Sequence, residues 1–207
     1  MDLKKIRESS LIKARSLGYE TNPDLPLLDE GLVLRSADEV VGRSLALFAV
    51  VAGSYGFDKE SAISWLQKED AYSFLADSEK CFLVDGEGDT PYIQSQVEGL
   101  NAFAWSLGIV KRLEFDQVCE NNLIKLFPDI KNNGDSSAYR SKAKVRDLEL
   151  IVQACDLAYC LHWAVVQAQL GGKKLPGDIG PHVIVERRRA LEWMLCKEDW
   201  DELSLDT

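Results

Sequence analysis

Apolar residues recur along the chain at the three-to-four-residue spacing of helices, and the strict alternation that marks strands is nearly absent. Residues 2–17 put Leu3, Ile6, Leu11, Ala14 and Leu17 on one side and stop at Gly18. The basic residues of this first helix read as a solvated face. Residues 20–31, ETNPDLPLLDEG, carry two prolines and read as a linker. Ser36 and Glu39 form a capping box that opens a helix running to about Tyr55. Its stretch LALFAVVA at 45–52 is apolar all round, which predicts a central, surrounded helix. A shorter helix follows over 58–69. After the turn DGEGD at 85–89, Thr90 as N-cap and Pro91 as first helical residue open a helix from 91 to 107, ended by Gly108.

Residues 116–126 suggest a modest helix, and PDIKNNGDSS after it is loop-like. Ser136 or Ser137 then caps a long helix that runs to Leu170 and closes at Gly171 and Gly172. Pro181 opens the last helix, which carries ERRRALEW at 186–193. The expected fold is all-α: a single multi-helix domain over 1–207, with a central buried helix and a long helix in its C-terminal half. Residues 1–30 supply the N-terminal helix and linker, and 31–207 the core.

Composition narrows the function classes. With 46% hydrophobic and 28% charged residues the chain is an ordinary globular one. Its formal charge of −10 argues against nucleic acid as a partner, since general nucleic-acid binders need basic surfaces. Five cysteines without C-x-x-C spacing suit reduced thiols better than disulfides or zinc. The N-terminus lacks the apolar stretch of a signal peptide, and the longest apolar run is far short of the roughly 20 residues that span a bilayer. The expectation is a soluble cytoplasmic protein with no membrane partner.

The candidate chemistry centres on the arginines. At about 100° per residue, Val183, Ile184, Ala190, Leu191, Met194 and Leu195 share one arc of the final helix. Arg187 points into that arc, Arg188 lies at its edge and Arg189 points away. The three therefore fan out and form no phosphate patch. A core-facing guanidinium stays charged and needs an acid. Glu39 and Arg43 share a stripe with Ala46 and Val50, while Asp156 and Cys160 lie on a polar stripe of the long helix. The expectation is that Arg187 pairs with Asp156 or Glu39 in a buried network that ties three helices together. Glu186 and Arg188 complete the candidate set, with His162.

His162 falls on the wheel with Ile151, Cys155 and Val166, as a satisfied core histidine does, and His182 reads as a surface or capping residue. Cys160 is a better candidate for a reactive thiol than Cys155. No histidine or acid spacing supports a metal, and no phosphate loop, dinucleotide fingerprint or nucleophile elbow occurs, so neither metal nor cofactor is expected. Trp193 is placed over Arg189, and Trp200, alone among acids in the tail, must dock on the body of the protein.

Three stretches together carry a resemblance: SADEVVGRSLALFAVVAGSYG, ACDLAYCLHWAVVQ, and ERRRALEWML with the WDELSLDT ending. They are similar to the bacterial family known as domain of unknown function 4272, over residues 30–207. The resemblance implies a compact α-helical domain of bacterial cytoplasmic proteins and brings no activity, cofactor or catalytic residue. From the residues, the first expectation is a non-enzymatic module that binds another, basic protein. The alternative is a small-molecule binder or enzyme with a pocket for an anionic ligand, lined by Arg43, Asp156, Arg187 and His162.

Overall fold

A computed structural model describes residues 1–28 and 32–207, and every regular element among them is helical. The first helices are α1 (Leu3–Ser16), α2 (Ala37–Ser54), α3 (Lys59–Lys68) and α4 (Asp77–Val84). They are followed by α5 (Thr90–Ser95), α6 (Val97–Ser106), α7 (Ser137–Lys142), α8 (Leu148–Leu170) and α9 (Pro181–Leu195). Packing runs in sequence through the molecule. α8 lies between α1 and α9, α9 packs on α6, and α6 on α2, which carries α3, α4 and α5.

The central helix is the one the capping box announces. Ser36 Oγ accepts from the Glu39 amide, and Glu39 accepts in return from the Ser36 amide at 2.9 Å. From Val40 to Val51 every side chain is buried, as an all-apolar helix requires. Gly42 is needed because the Phe74 ring lies where a Cβ would stand.

Several expected elements are shorter or differently bounded. The 116–126 stretch is irregular apart from a 3-10 turn at Leu123–Leu126. The helix expected over 91–107 breaks at Gln96 into α5 and α6, and its N-cap is Asp89 rather than Thr90. The helix expected over 137–170 splits into α7 and α8. The reason is tertiary: the Lys144 and Arg146 amides donate to the free carbonyls of Leu107 and Ser106, both at 2.8 Å, where Gly108 ends α6 in a positive-φ turn. Arg146 adds bonds to the Trp105 and Val110 carbonyls. α4 has no counterpart among the expected helices, because Ala76 in front of it offers no capping side chain; Glu79 reaches back to the Ala76 amide instead. The linker expected over 20–31 is irregular as far as residue 28. Its last residues, 29–31, and the expected 30/31 boundary lie outside the described residues.

By length and composition α8 could cross a membrane, but half of its most apolar window is buried inside the protein between α1 and α9. The tail is pinned as Trp200 required: its ring is 4% exposed and packs against Phe103 and Trp193. The Arg43 guanidinium lies 4.1 Å above the Trp200 ring. Trp193 takes Arg35 on its face at 4.1 Å, where Arg189 was expected. Replacing a buried tryptophan by alanine costs about 3–5 kcal/mol. Trp200→Ala is expected to lower urea-unfolding stability by that amount, and a cost below about 1 kcal/mol would mean that the tail does not hold the body together.

Candidate functional site

The arginines of α9 and their neighbours do not meet in one network. Arg7, Arg43, Arg187 and Arg188 each build a cluster of their own, while Arg189 Nε has no hydrogen bond. Arg187, 1% exposed, pairs with Glu98 of α6: Nε donates to Oε2 at 2.9 Å and Nη2 to the same oxygen at 2.5 Å. Its other bonds go to the Glu114 and Gln117 carbonyls, which pins the irregular segment after α6. Glu98 Oε1 is held in turn by the Cys119 amide at 2.8 Å. Arg43 makes a two-pronged pair with Glu79 of α4 at 2.6 and 2.9 Å.

Asp156 belongs to a third cluster. Its partner is Arg7 of α1, which donates from Nη2 at 2.8 Å and also bonds the Leu25 and Pro26 carbonyls. Arg7 is 4% exposed, so the basic face expected to be solvated holds a buried cation. Arg188 forms the fourth cluster. Nε donates to Glu192 at 2.7 Å, Nη1 to His162 Nδ1 at 2.7 Å, and both terminal nitrogens reach carbonyls of the tail, Leu205 and Asp206. Because a guanidinium only donates, His162 must accept at Nδ1 and carry its proton on Nε2. Burial, followed by the Arg188 charge, pushes His162 down to about 4 and keeps it neutral. It is a satisfied core histidine, as its helical position implied.

Two expectations are therefore corrected. Arg187 pairs with neither Asp156 nor Glu39, because Glu98 and Arg7 are nearer claimants. Glu39 is half-buried and caps α2, where the Ser36 hydroxyl holds its carboxyl below the usual range. Nor do Arg43, Asp156, Arg187 and His162 line one pocket; they sit in four clusters on different helix pairs. The acids Glu79, Glu98 and Glu192 and the base Arg7 escaped the sequence reading. Glu98 had a signal, an acid inside the apolar run VEGLNAFAWS, the same signal by which Arg187 stands out.

Neither cysteine on α8 is activated. Burial, then Asp156, drives Cys160 up to about 12, and burial raises Cys155 well above the ordinary thiol range. Glu186 stands differently from the other candidates. It is 2% exposed, Oε2 has no hydrogen bond, and Arg189 Nε stands 3.5 Å away without bonding geometry. Burial raises its carboxyl to about 7, with the Arg189 charge opposing the rise. Tyr92 of α5 faces it and is raised by burial and then by the Glu186 charge.

A cleft opens beside the Arg187 cluster. It measures about 570 Å³, with Asn101 of α6 and Arg187 lining it from the helices and Lys111, Arg112, Glu114 and Glu120 from the irregular segment. Cys119 also lines it, but burial and then Glu98 push that thiol up to about 12, so it is no nucleophile at neutral pH.

Breaking a buried ion pair leaves an uncompensated charge, at a cost of about 3–5 kcal/mol. Arg187→Ala and Glu98→Ala are each expected to cost that much in urea unfolding, and the double variant little more than either single one. Arg189→Ala should cost under about 1 kcal/mol, since a partly exposed pair without hydrogen bonds contributes little. Equal costs for Arg187→Ala and Arg189→Ala would refute the clustering.

Glu186 predicts a pH dependence. Its folded value, about 7, lies above the ordinary 4.5, so the folded state holds the proton more tightly. Its contribution is whole below the ordinary value and is lost as pH rises through about 7. His162 slopes the other way, because its lowered value costs stability as pH falls from 6.5 towards about 4. Glu186→Gln should therefore match the wild type in acid and gain on it by a few kcal/mol at most above neutrality. A constant difference across pH 4.5 to 7 would show that Glu186 titrates normally.

No curated protein and no solved structure matches the chain. A protein-family comparison does: residues 7–203 of the 207 match the domain of unknown function DUF4272, a span that begins at the buried arginine of α1 and holds all four buried arginines. The chain belongs to the DUF4272 family.

Proposed function

We propose that this protein is a non-enzymatic interaction module whose acidic face receives a basic protein partner. The observation that carries the reading is that the buried arginines find their charge partners inside the protein. Arg7, Arg43, Arg187 and Arg188 spend their charge on carboxylates, an imidazole and backbone carbonyls of the protein itself. No nucleophile is poised beside them, since the thiols nearest the Arg7, Arg187 and Arg188 clusters are all raised by burial. Helix clamps of this kind make a rigid scaffold, and rigidity serves recognition by limiting what must be ordered on binding.

The charge left for a partner lies outside the clusters. Asp85, Glu87, Asp199 and Glu202 are exposed, and two bonds between Ser78 and Asp201 bring the acidic tail against the start of α4. Val84, 59% exposed, adds an apolar side chain beside Asp85 at the end of α4. Acidic surfaces steer basic partners and make association sensitive to salt.

Native mass spectrometry of the protein purified gently from its own host is the direct test. A stoichiometric protein companion is expected. Neutralising Asp85, Glu87, Asp199 and Glu202 to their amides should then weaken that complex at least about ten-fold, equivalent to 1.4 kcal/mol, and flatten its salt dependence. A companion held equally well by the neutralised variant would overturn the acidic-face assignment. The absence of any protein companion would overturn the reading itself.

A further inference from the structure

The cleft beside Arg187 holds polar groups that the scaffold leaves unused. Asn101 is 6% exposed, yet its side-chain amide makes no hydrogen bond to another described residue. Buried amides are ordinarily paired, and Asn offers two donors and an acceptor. Its neighbour Arg187 has five N–H groups. Glu98 takes two, Glu114 and Gln117 one each, which leaves one N–H on Nη1 uncommitted in the wall of the same cleft.

The charges that remain decide what such a cleft would hold. Arg187 is offset by Glu98. Among the other lining residues Lys111 and Arg112 contribute +2, and Glu114 and Glu120 −2, a sum of zero. A simple anion, the ligand anticipated from the arginines alone, would meet two carboxylates that offset Lys111 and Arg112 and so find no net attraction. A ligand with separated opposite charges satisfies both signs. Ile109, Val110, Val118, Leu123 and Leu126 give the wall an apolar part, beside Gln117, Cys119 and Asn122. The volume, about 570 Å³, lies within the range typical of small-molecule sites.

We propose that this cleft binds a zwitterionic, apolar amino acid or short peptide. The carboxylate accepts from Asn101 and the free Arg187 N–H, with Lys111 and Arg112 supplying positive charge in the same cleft. The ammonium lies towards Glu114 and Glu120, and an aliphatic side chain covers the apolar wall. This site shares no residue with the acidic face, so either assignment can fail without the other.

Calorimetric titration with four probes tests it: leucine, leucyl-leucine, N-acetyl-leucine and leucinamide. One-to-one binding of leucine or leucyl-leucine is expected, and the tighter of the two identifies a free amino acid or a peptide as the natural class. N-acetyl-leucine lacks the ammonium and leucinamide the carboxylate, so each should bind at least about ten-fold more weakly. Lys111→Ala/Arg112→Ala should weaken the best probe by a similar factor while its unfolding midpoint without ligand stays unchanged, because both residues are exposed. Asn101→Ala should lose binding, with circular dichroism reporting its fold. Absence of binding by leucine and leucyl-leucine up to about 10 mM would overturn the proposal, since weaker affinity than that has no selective content. So would N-acetyl-leucine binding as well as leucine, or an unchanged affinity in the double variant.

Discussion

A guanidinium cannot shed its charge at any accessible pH, so burying one obliges the fold to bring a carboxylate or a set of carbonyls to it. This protein buries four, and the architecture follows from where their partners stand. Arg7 with Asp156 fixes α1 on α8, Arg43 with Glu79 fixes α4 on α2, and Arg187 with Glu98 fixes α9 on α6. Arg188 joins α9 to α8 through His162 and gathers the tail through its backbone. Buried arginines thus join α1 to α8, α8 to α9, α9 to α6 and α2 to α4, while α6 meets α2 by packing.

The second use of these arginines is on irregular chain. Segments without helical bonding have carbonyls to satisfy, and arginine reaches them with donors to spare. Arg7 bonds residues 25 and 26, Arg187 bonds 114 and 117, Arg35 bonds 193 and 198, and Arg146 bonds 105 and 110. The connections after α1 and α6 and the C-terminal tail are thereby anchored by arginine donors in place of a strand or sheet ladder. The cleft beside Asn101 is a product of this arrangement. Arg187 holds the segment after α6 at a fixed height above the helices, and the space between them is lined by groups the clamp did not consume.

Much of this was legible from residue order, and its limits have a clear cause. Caps and periodicity are local, and they located α1, α2, α3, α9 and the body of α8 to within a residue or two. The boundaries that failed are those settled by distant groups. Residues 143–147 leave the helical path because the carbonyls ending α6 need donors, and α4 begins where Glu79, already bound to Arg43, also reaches the Ala76 amide. The helical wheel identified Arg187 and Asp156 as charges facing a core, since orientation on a helix is itself local. It could not match them, because the true partners stand 89 and 149 residues away.

The sequence by itself determined the all-α class and most of the helices, the central place of α2, the burial of Arg187, the core place of His162, the docking of Trp200 and, through its three most specific stretches, the family. Tertiary structure alone decided which acid each arginine meets, where the long helices break, that Glu186 is left in the core without a hydrogen bond for one oxygen, and that Asn101 opens on a cleft. The division follows the range of the forces involved. Capping, propensity and amphipathic spacing act over a turn or two of chain, whereas the pairing of buried charges depends on which helices lie side by side.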